Sequence, residues 1–446
     1  SIAGGTLNTA SAACSFIGGG CLNNICSGET FAVIGGGRQN QVDGDYGAII
    51  GGYQNCIIGN DNYVTLGGGY QNCVGSCYAF LGGGRNNCIS GDGAARVIVG
   101  GCCNKIITDS TNAFIGAGCL NCIDGDSDEE TGSTFASIVG GLSNFIRCGT
   151  YAFIGGGQSN QICDGFNNHA AIVGGRCNSI CCSSCGFVGG GYNNKMGTVA
   201  RLSSIVGGTS NCIGTGDCCS FIGGGALNTV NHDRSSIVGG LCNTITNVDS
   251  FIGGGTLNTG SGACSFIGGG QANAITSGSS VIGGGCDNCI TGIYDFIGGG
   301  ISNCICNAKC SSIVGGDRNV ISGSNSSRYH FIGGGLLNKI CIPSGSTPGD
   351  SVGTIVGGYN NCLTIGGSTI AGGTSNTVSG YEGFIGGGNA NTVSGCYSSI
   401  AAGRFNCVSG CCSAVVNGCK NCVTANFTSI AGGTLNTASA ACSFIG

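Results

Sequence analysis

Read as apolar and polar positions, the chain repeats one short pattern from end to end. Anchored on Ile17, the pattern is a small residue, a variable residue and Ile, followed by Gly, Val or Ala, then Gly-Gly and two variable residues. It closes with Asn, a variable residue, and Ile or Val. Twenty-seven complete copies fit, with anchors from Ile2 to Ile430, and the residue six after the anchor is Asn in every one. Fourteen of the 27 anchor-to-anchor steps are fifteen residues, and the longer steps place their extra residues after the second aliphatic. All length variation therefore falls at one corner of the repeat.

The alternation around the anchor predicts a short β-strand, in which the small residue and the Ile face one way and their neighbours face the other. The two glycines permit a turn with positive φ. Asn and its alternate aliphatic then begin a second short strand. One such coil buries too little apolar surface to stand alone, so coils must stack on their neighbours. The predicted fold class is all-β, a parallel β-solenoid or β-roll of ~15-residue coils rising ~4.8 Å each. The first eighteen residues, Ser1–Gly18, return unchanged as Ser429–Gly446. This suggests a window on a tandem array, with 1–428 as one continuous solenoid unit of 26 coils and 429–446 as the start of the next. A rod of ~125 Å per unit is expected at that rise.

Side-chain requirements sharpen the picture. In a stack, the repeated Asn (Asn8, Asn23, Asn55, Asn104, Asn243, Asn338, Asn436 and their equivalents) lies in one column, where each carboxamide can bond the next as well as the turn backbone. The alternative, a polymeric ligand matched to the rise, asks more of the chain. Where the residue before the anchor is Phe, the residue after it is Gly, as at Phe16/Gly18, Phe153/Gly155, Phe221/Gly223, Phe251/Gly253 and Phe331/Gly333. Where it is Ser or Ala, the residue after is Val or Ala, as at Ser137/Val139 and Ala171/Val173. Approximately constant bulk on that face predicts a second buried surface. A thin coil has one interior, so Phe153, Phe221, Phe251, Phe296 and Phe331 are candidates for packing against another chain.

Composition narrows the function classes. Gly supplies 95 of 446 residues, Pro two, Trp none, and only 8% are charged. That is neither disordered nor collagen-like, and glycines at this density work against helices. No apolar run is long enough to span a membrane. A net charge of −5 with scattered basic residues argues against nucleic acid as a partner.

The phrase SFIGGGTLNTGSGACSFIGGG, Ser250–Gly270, resembles the head repeats of YadA-like trimeric autotransporter adhesins. The resemblance implies a left-handed β-roll, three chains side by side as a homotrimer, and a bacterial surface. The present repeat departs from that family in its longer coil, its regular double glycine and fixed Asn, and its cysteine content.

There are 36 cysteines, 35 per long unit once Cys442 is recognised as the repeat of Cys14. Their spacing is not that of a zinc knuckle. Ten directly follow the repeat Asn, among them Cys56, Cys73, Cys88, Cys289, Cys304, Cys407 and Cys422, and Thr takes that place in seven other copies. Column neighbours ~4.8 Å apart fall within disulfide range, which makes these residues disulfide candidates and predicts an oxidising, extracellular or cell-surface setting. The alternative is Cys as a small buried hydrophobe.

Little catalytic chemistry is visible, and no enzyme is predicted. His169, His232 and His330 lie in corners and read as solvated. Asp124, Asp126 and Asp128 have alternate carboxylates but lack the glycine and terminal Glu of an EF-hand, so they are a weak calcium candidate. Two sequons, at Asn325 and Asn426, rest on three residues each. No cofactor is predicted. The expected function is a structural one: an extracellular fibre or filament built by self-association and end-to-end array, cross-linked by disulfides. A trimeric adhesin stalk or head is the alternative, with specificity in the long corners 124–135 and 343–353. An ice- or polysaccharide-binding solenoid is the second, although the Thr/Cys column gives it an array one residue wide.

Overall fold

The computed structural model describes residues 1–28, 30–59, 63–125, 132–163, 168–324, 327–343 and 352–446. By its internal contacts the chain divides into two compact units, Ser1–Arg234 and Ser235–Gly446. Among the described residues every regular element is a β-strand of two or three residues, and each unit is a parallel β-solenoid with one motif copy per coil.

In each coil the residue before the anchor and the anchor form one strand, such as Phe153–Ile154, and the residues after the Asn form the other, such as Gln161–Cys163. Each strand pairs in parallel with its equivalents above and below, so Phe153 faces Ser137 and Ala171, and Gln161 faces Phe145 and Ser179. A third ladder, one residue wide, follows the glycine turn, as at Gln158↔Arg176. The coil opening the expected next long unit, Ser429–Ile430, pairs with Ala414–Val415 like any other.

The interior is narrow and repetitive. Anchors such as Ile154 and Ile252, and second aliphatics such as Ile162 and Val378, are completely or almost completely buried. Each is worth ~1.5–3 kcal/mol in burial. The residue two before the anchor is buried beside them, as the alternation predicts, and is Ser in many coils. Its hydroxyl replaces strand pairing at the corner: Ser398 Oγ donates to Gly410 O of the next coil (2.8 Å) and accepts from Ser413 N (3.1 Å).

The Asn column exists within each unit, with bonding richer than the sequence suggests. Asn160 Oδ1 accepts the backbone N–H of Asn178 in the next coil (3.0 Å). Its Nδ2 donates to Gly156 O in its own turn and to Gly175 O in the next coil, both at 2.9 Å. The dominant link is thus side chain to backbone, with amide-to-amide contacts of ~3.1–3.2 Å added in some coils. Asn8 and Asn436, in outermost coils, are half-buried.

The last glycine of the turn is fixed by this column. At Gly157, φ is 91°, and a Cβ would lie 2.0 Å from Gly175 O and 2.7 Å from Asn160 Nδ2. No side chain fits there. The residue before Asn also has positive φ in each coil, as at Ser159 (54°) and Leu257 (60°), and is tolerated because its side chain points out.

Candidate functional site

With the interior committed to packing, chemistry has three places to reside: the outward face of the anchor strands, the outward face of the asparagine strands, and the corners.

On the anchor strands, Phe and its replacements point outward. Phe153, Phe221, Phe296 and Phe331 are 37–41% exposed, and Val139, Val173 and Val206 about half exposed. Phe251 is less so, its ring stacked on Phe266 with centroids 5.2 Å apart. In the single chain this face is therefore bare, and the buried second surface expected from the sequence is not supplied by the coil itself. The glycine after the anchor is held by the next coil. A Cβ at Gly155 would meet Val173 O at 2.4 Å, with Phe153 Cε1 farther off at 3.3 Å, and Gly35 and Gly67, whose coils carry Val and Thr in place of Phe, crowd the equivalent carbonyl at 2.5 and 2.2 Å. From Phe114 to Phe221 the two versions alternate rung by rung.

The asparagine strands present the cysteines. Cys56, Cys73 and Cys88 are register partners in three successive coils, as are Cys289 and Cys304, and Cys407 and Cys422. The columns expected from the sequence are present, and all seven residues are partly exposed thiols in this structure. Where three sulfurs meet, hydrogen bonding among them splits their acidities. Sharing with Cys73 holds Cys88 down to about 6 and lowers Cys56, and the Cys73 thiol is raised in return. Cys304 does the same between Cys289 and Cys306: Cys289 is lowered, Cys306 is lowered to about 7, and Cys304 is raised. The Cys304 and Cys306 Sγ atoms are 2.7 Å apart. By contrast, burial pushes Cys362 and Cys407 up and takes Cys122 up to about 11.

Sequence reasoning missed a second outward column, three residues after the Asn. In the second unit it holds Thr246, Thr276, Thr291, Ser379, Ser394 and Thr424, beside Thr or Cys in most of those coils. The polar face there is two residues wide, and the alternation of the second strand was the signal that could have revealed it.

At the corners, His169 stacks on Tyr151 (4.9 Å), and Phe31, Tyr46, Tyr63 and Tyr78 stack in a column with centroids 4.7–5.4 Å apart. His169 and His232 are exposed as expected. His330 is not: it is 1% exposed, in the interior column normally held by Ser, with Ser327 Oγ at 2.5 Å from Nε2 and Gly353 N donating to Nδ1 at 3.1 Å. Burial lowers its pKa to about 4. Asp295, and Arg96 in the first unit, occupy the equivalent position of the repeat. The Arg96 guanidinium donates to the carbonyls of Ser90, Gly91, Thr108 and Ser110. Asp295 accepts from Ser311 N at 2.8 Å, and its other oxygen is buried without a hydrogen bond. Burial raises its pKa to about 7. All three sit two residues before an anchor, a place the periodicity had already assigned to the inside.

The Asp124 side chain accepts from the Thr108 hydroxyl of the preceding coil. Asp126 and Asp128, like the sequon at Asn325 and most of the 343–353 corner, lie outside the described residues. Among the described residues no cluster of three His, Cys, Asp or Glu could hold a metal ion, and no helix is long and apolar enough to cross a membrane. No protein-family model matches the chain, and no curated protein matches it.

Proposed function

We propose that this chain is a structural protein that self-associates into an extracellular fibre, its solenoids packed side by side through the Phe/Val face and cross-linked through cysteine. The observation that carries the reading is the exposed apolar stripe formed by Phe and Val on successive anchor strands in each unit. Soluble chains rarely leave large apolar side chains partly exposed in a repeated row along one face. The alternation of rings and gaps from Phe114 to Phe221 makes the stripe self-complementary when a second copy is shifted by one coil. Three chains around the stripe, as the resemblance to YadA-like head repeats implies, would bury it completely. The test is electron microscopy and sedimentation of the purified chain beside a Phe153→Asp, Phe187→Asp, Phe221→Asp variant. Filaments or trimers are expected for the parent and single chains for the variant. A parent that stays monomeric at high concentration overturns the reading.

A second reading, an ice- or polysaccharide-binding solenoid, is favoured by the two-column face of the second unit. Thr377 and Ser379, Thr392 and Ser394, Cys407 and Ser409, and Cys422 and Thr424 form a regular polar array on four successive coils. Ice-recrystallisation and polysaccharide pull-down assays test it. A Thr392→Lys, Ser394→Lys variant should lose any binding observed.

A further inference from the structure

The sulfur cluster in the second unit has a feature that a simple ladder of cysteines lacks. Cys289 and Cys304 are register partners on neighbouring parallel strands, so their Cα atoms are ~4.8 Å apart, within the range of a disulfide. Cys306 is on the same strand as Cys304, two residues on and on the same face. Their Cα atoms are therefore ~6.6 Å apart with Cβ vectors nearly parallel, at the edge of what a disulfide can span without bending the strand. Across the ladder Cys306 faces Ser322 in the next coil and accepts from the Thr291 hydroxyl of the previous one. It thus has no cysteine opposite it on either side, while its sulfur lies 2.7 Å from that of Cys304.

We propose that Cys289, Cys304 and Cys306 form a thiol–disulfide exchange site, in which Cys289 and Cys304 close a disulfide between coils and Cys306 forms a lasting mixed disulfide with a cysteine of a second copy of this chain. This deepens the cross-linked-fibre reading and rests on it for the identity of the partner. The chemistry needs an external disulfide, R–S–S–R, as oxidant. The Cys289 thiolate attacks one sulfur of R–S–S–R, the S–S bond breaks, and RS⁻ leaves. Cys304, having lost its proton to solvent, attacks the Cys289 sulfur of that mixed disulfide. A second RS⁻ leaves, so two thiols are oxidised as one external disulfide is reduced. Cys306 attacks another R–S–S–R in the same way and keeps the R–S group. Its only neighbouring thiol, Cys304, can displace R only by forming the strained bond within one strand. The thiolate is the attacking species in each step, and while Cys304 is still a thiol its contact with Cys306, which lowers Cys306 to about 7, favours attack by Cys306 at that stage. The three-rung column Cys56, Cys73 and Cys88 has the same odd count, but there the central residue can pair on either side.

The test uses the full chain, reduced, dispersed and treated at pH 7.5 with oxidised glutathione, then mapped by mass spectrometry. Expected are a glutathione adduct on Cys306 and a Cys289–Cys304 link, with Cys362, whose thiol burial pushes up, at least about tenfold slower to react. Cys306→Ser should abolish the adduct and keep the link. Cys304→Ser should leave adducts on both Cys289 and Cys306. A Cys304–Cys306 link, an unmodified Cys306, or equal rates at Cys306 and Cys362 overturns the proposal. The partner is tested separately, with concentrated chains and at least one oxidised glutathione per disulfide to be formed, the chain thiol of the second copy displacing glutathione from the Cys306 adduct. Interchain peptides containing Cys306 are expected; filaments that form without them overturn the assignment of the partner. Interchain peptides without filaments overturn the fibre reading and leave the exchange site standing.

Discussion

Replacing one asparagine of the column should open the solenoid locally, and Asn160 is the place to measure it. In Asn160→Ala, the backbone N–H of Asn178 loses its acceptor, Gly156 O loses a donor, and Gly175 O keeps only the N–H of Gln158. The N–H is fully buried, and leaving it unmade costs about 1–3 kcal/mol. The two carbonyls lie partly within reach of water, and each loses a bond of about 0.5–1 kcal/mol net. The sum is about 2–5 kcal/mol. Because stability in a solenoid is built from coils and their nearest neighbours, the loss should concentrate around the altered coil. Hydrogen exchange reads it directly: protection of the amides from residue 144 to residue 194 should fall by about 30-fold to several thousand-fold, at 1.36 kcal/mol per factor of ten. Amides around Asn273 should be unaffected, and Gln161→Ala, which removes an exposed neighbour, should change little. Asn160→Asp adds a sign. An ionised carboxylate would place an acceptor against two carbonyl oxygens, so its pKa must rise, and the variant should be more stable near pH 4 than at pH 7. Equal exchange in Asn160→Ala and Gln161→Ala would refute the view that the column holds the coils together.

Three further outcomes are expected. Gly157→Ala should destabilise its coil by at least about 2 kcal/mol, since φ is 91° and its Cβ would strike Gly175 O; unaltered hydrogen exchange around Gly157 would contradict this. In the second unit, Asp295 and His330 should give opposite pH dependences, read as exchange rates against pH in Asp295→Ser and His330→Ser. The Asp295 contribution, with its pKa raised to about 7, is fully present below about pH 4 and lost as pH rises through 7; that of His330, lowered to about 4, is present above about pH 6.5 and lost as pH falls through 4. Assembled material on non-reducing gels should be too large to enter and should yield single chains after reduction and alkylation; equal dissociation without reductant would return the cysteines to the role of small hydrophobes.

Much of the coil was legible because its signals are periodic. The burial of Ile154 and of the small residue before it, the Asn column and the cysteine columns all follow from alternation plus stacking. What escaped were residues that break composition while keeping position. His330 reads as a corner histidine when residue type is weighed first, yet it stands where Ser398 stands in its coil, and Asp295 and Arg96 repeat the substitution. A carboxyl or imidazole can replace the Ser hydroxyl only where the corner offers the matching donor or acceptor, as Gly353 N does for His330 Nδ1 and four carbonyls do for Arg96. The length of a corner is visible in sequence, but the directions of its carbonyls are not. The Phe/Gly pairing was visible too, though the carbonyl of the next coil that crowds the glycine needed coordinates.

The interior and exterior of this coil answer to different constraints, and that division bears on where function can lie. The anchor Ile, the second aliphatic, the Asn and the turn glycine each touch their equivalents in neighbouring coils, so a change at any of them propagates through a ladder of identical contacts. The outward positions touch only the residues directly above and below, and there the chain varies freely: Phe, Ser, Ala, Thr and Val before the anchor, and Cys, Thr, Lys, Gln or Phe after the Asn. Variation of that kind would disperse over all residue types if solvation were the only demand. Instead it stays apolar or small and uncharged on one face and rich in thiols and hydroxyls on the other, with 15 basic and 20 acidic residues in the entire chain. A solvated surface gains from charge, whereas a surface meant to be covered loses by it, because each buried charge must be desolvated and paired. The scarcity of charge on both faces is what the proposed contact with another copy of the same solenoid requires.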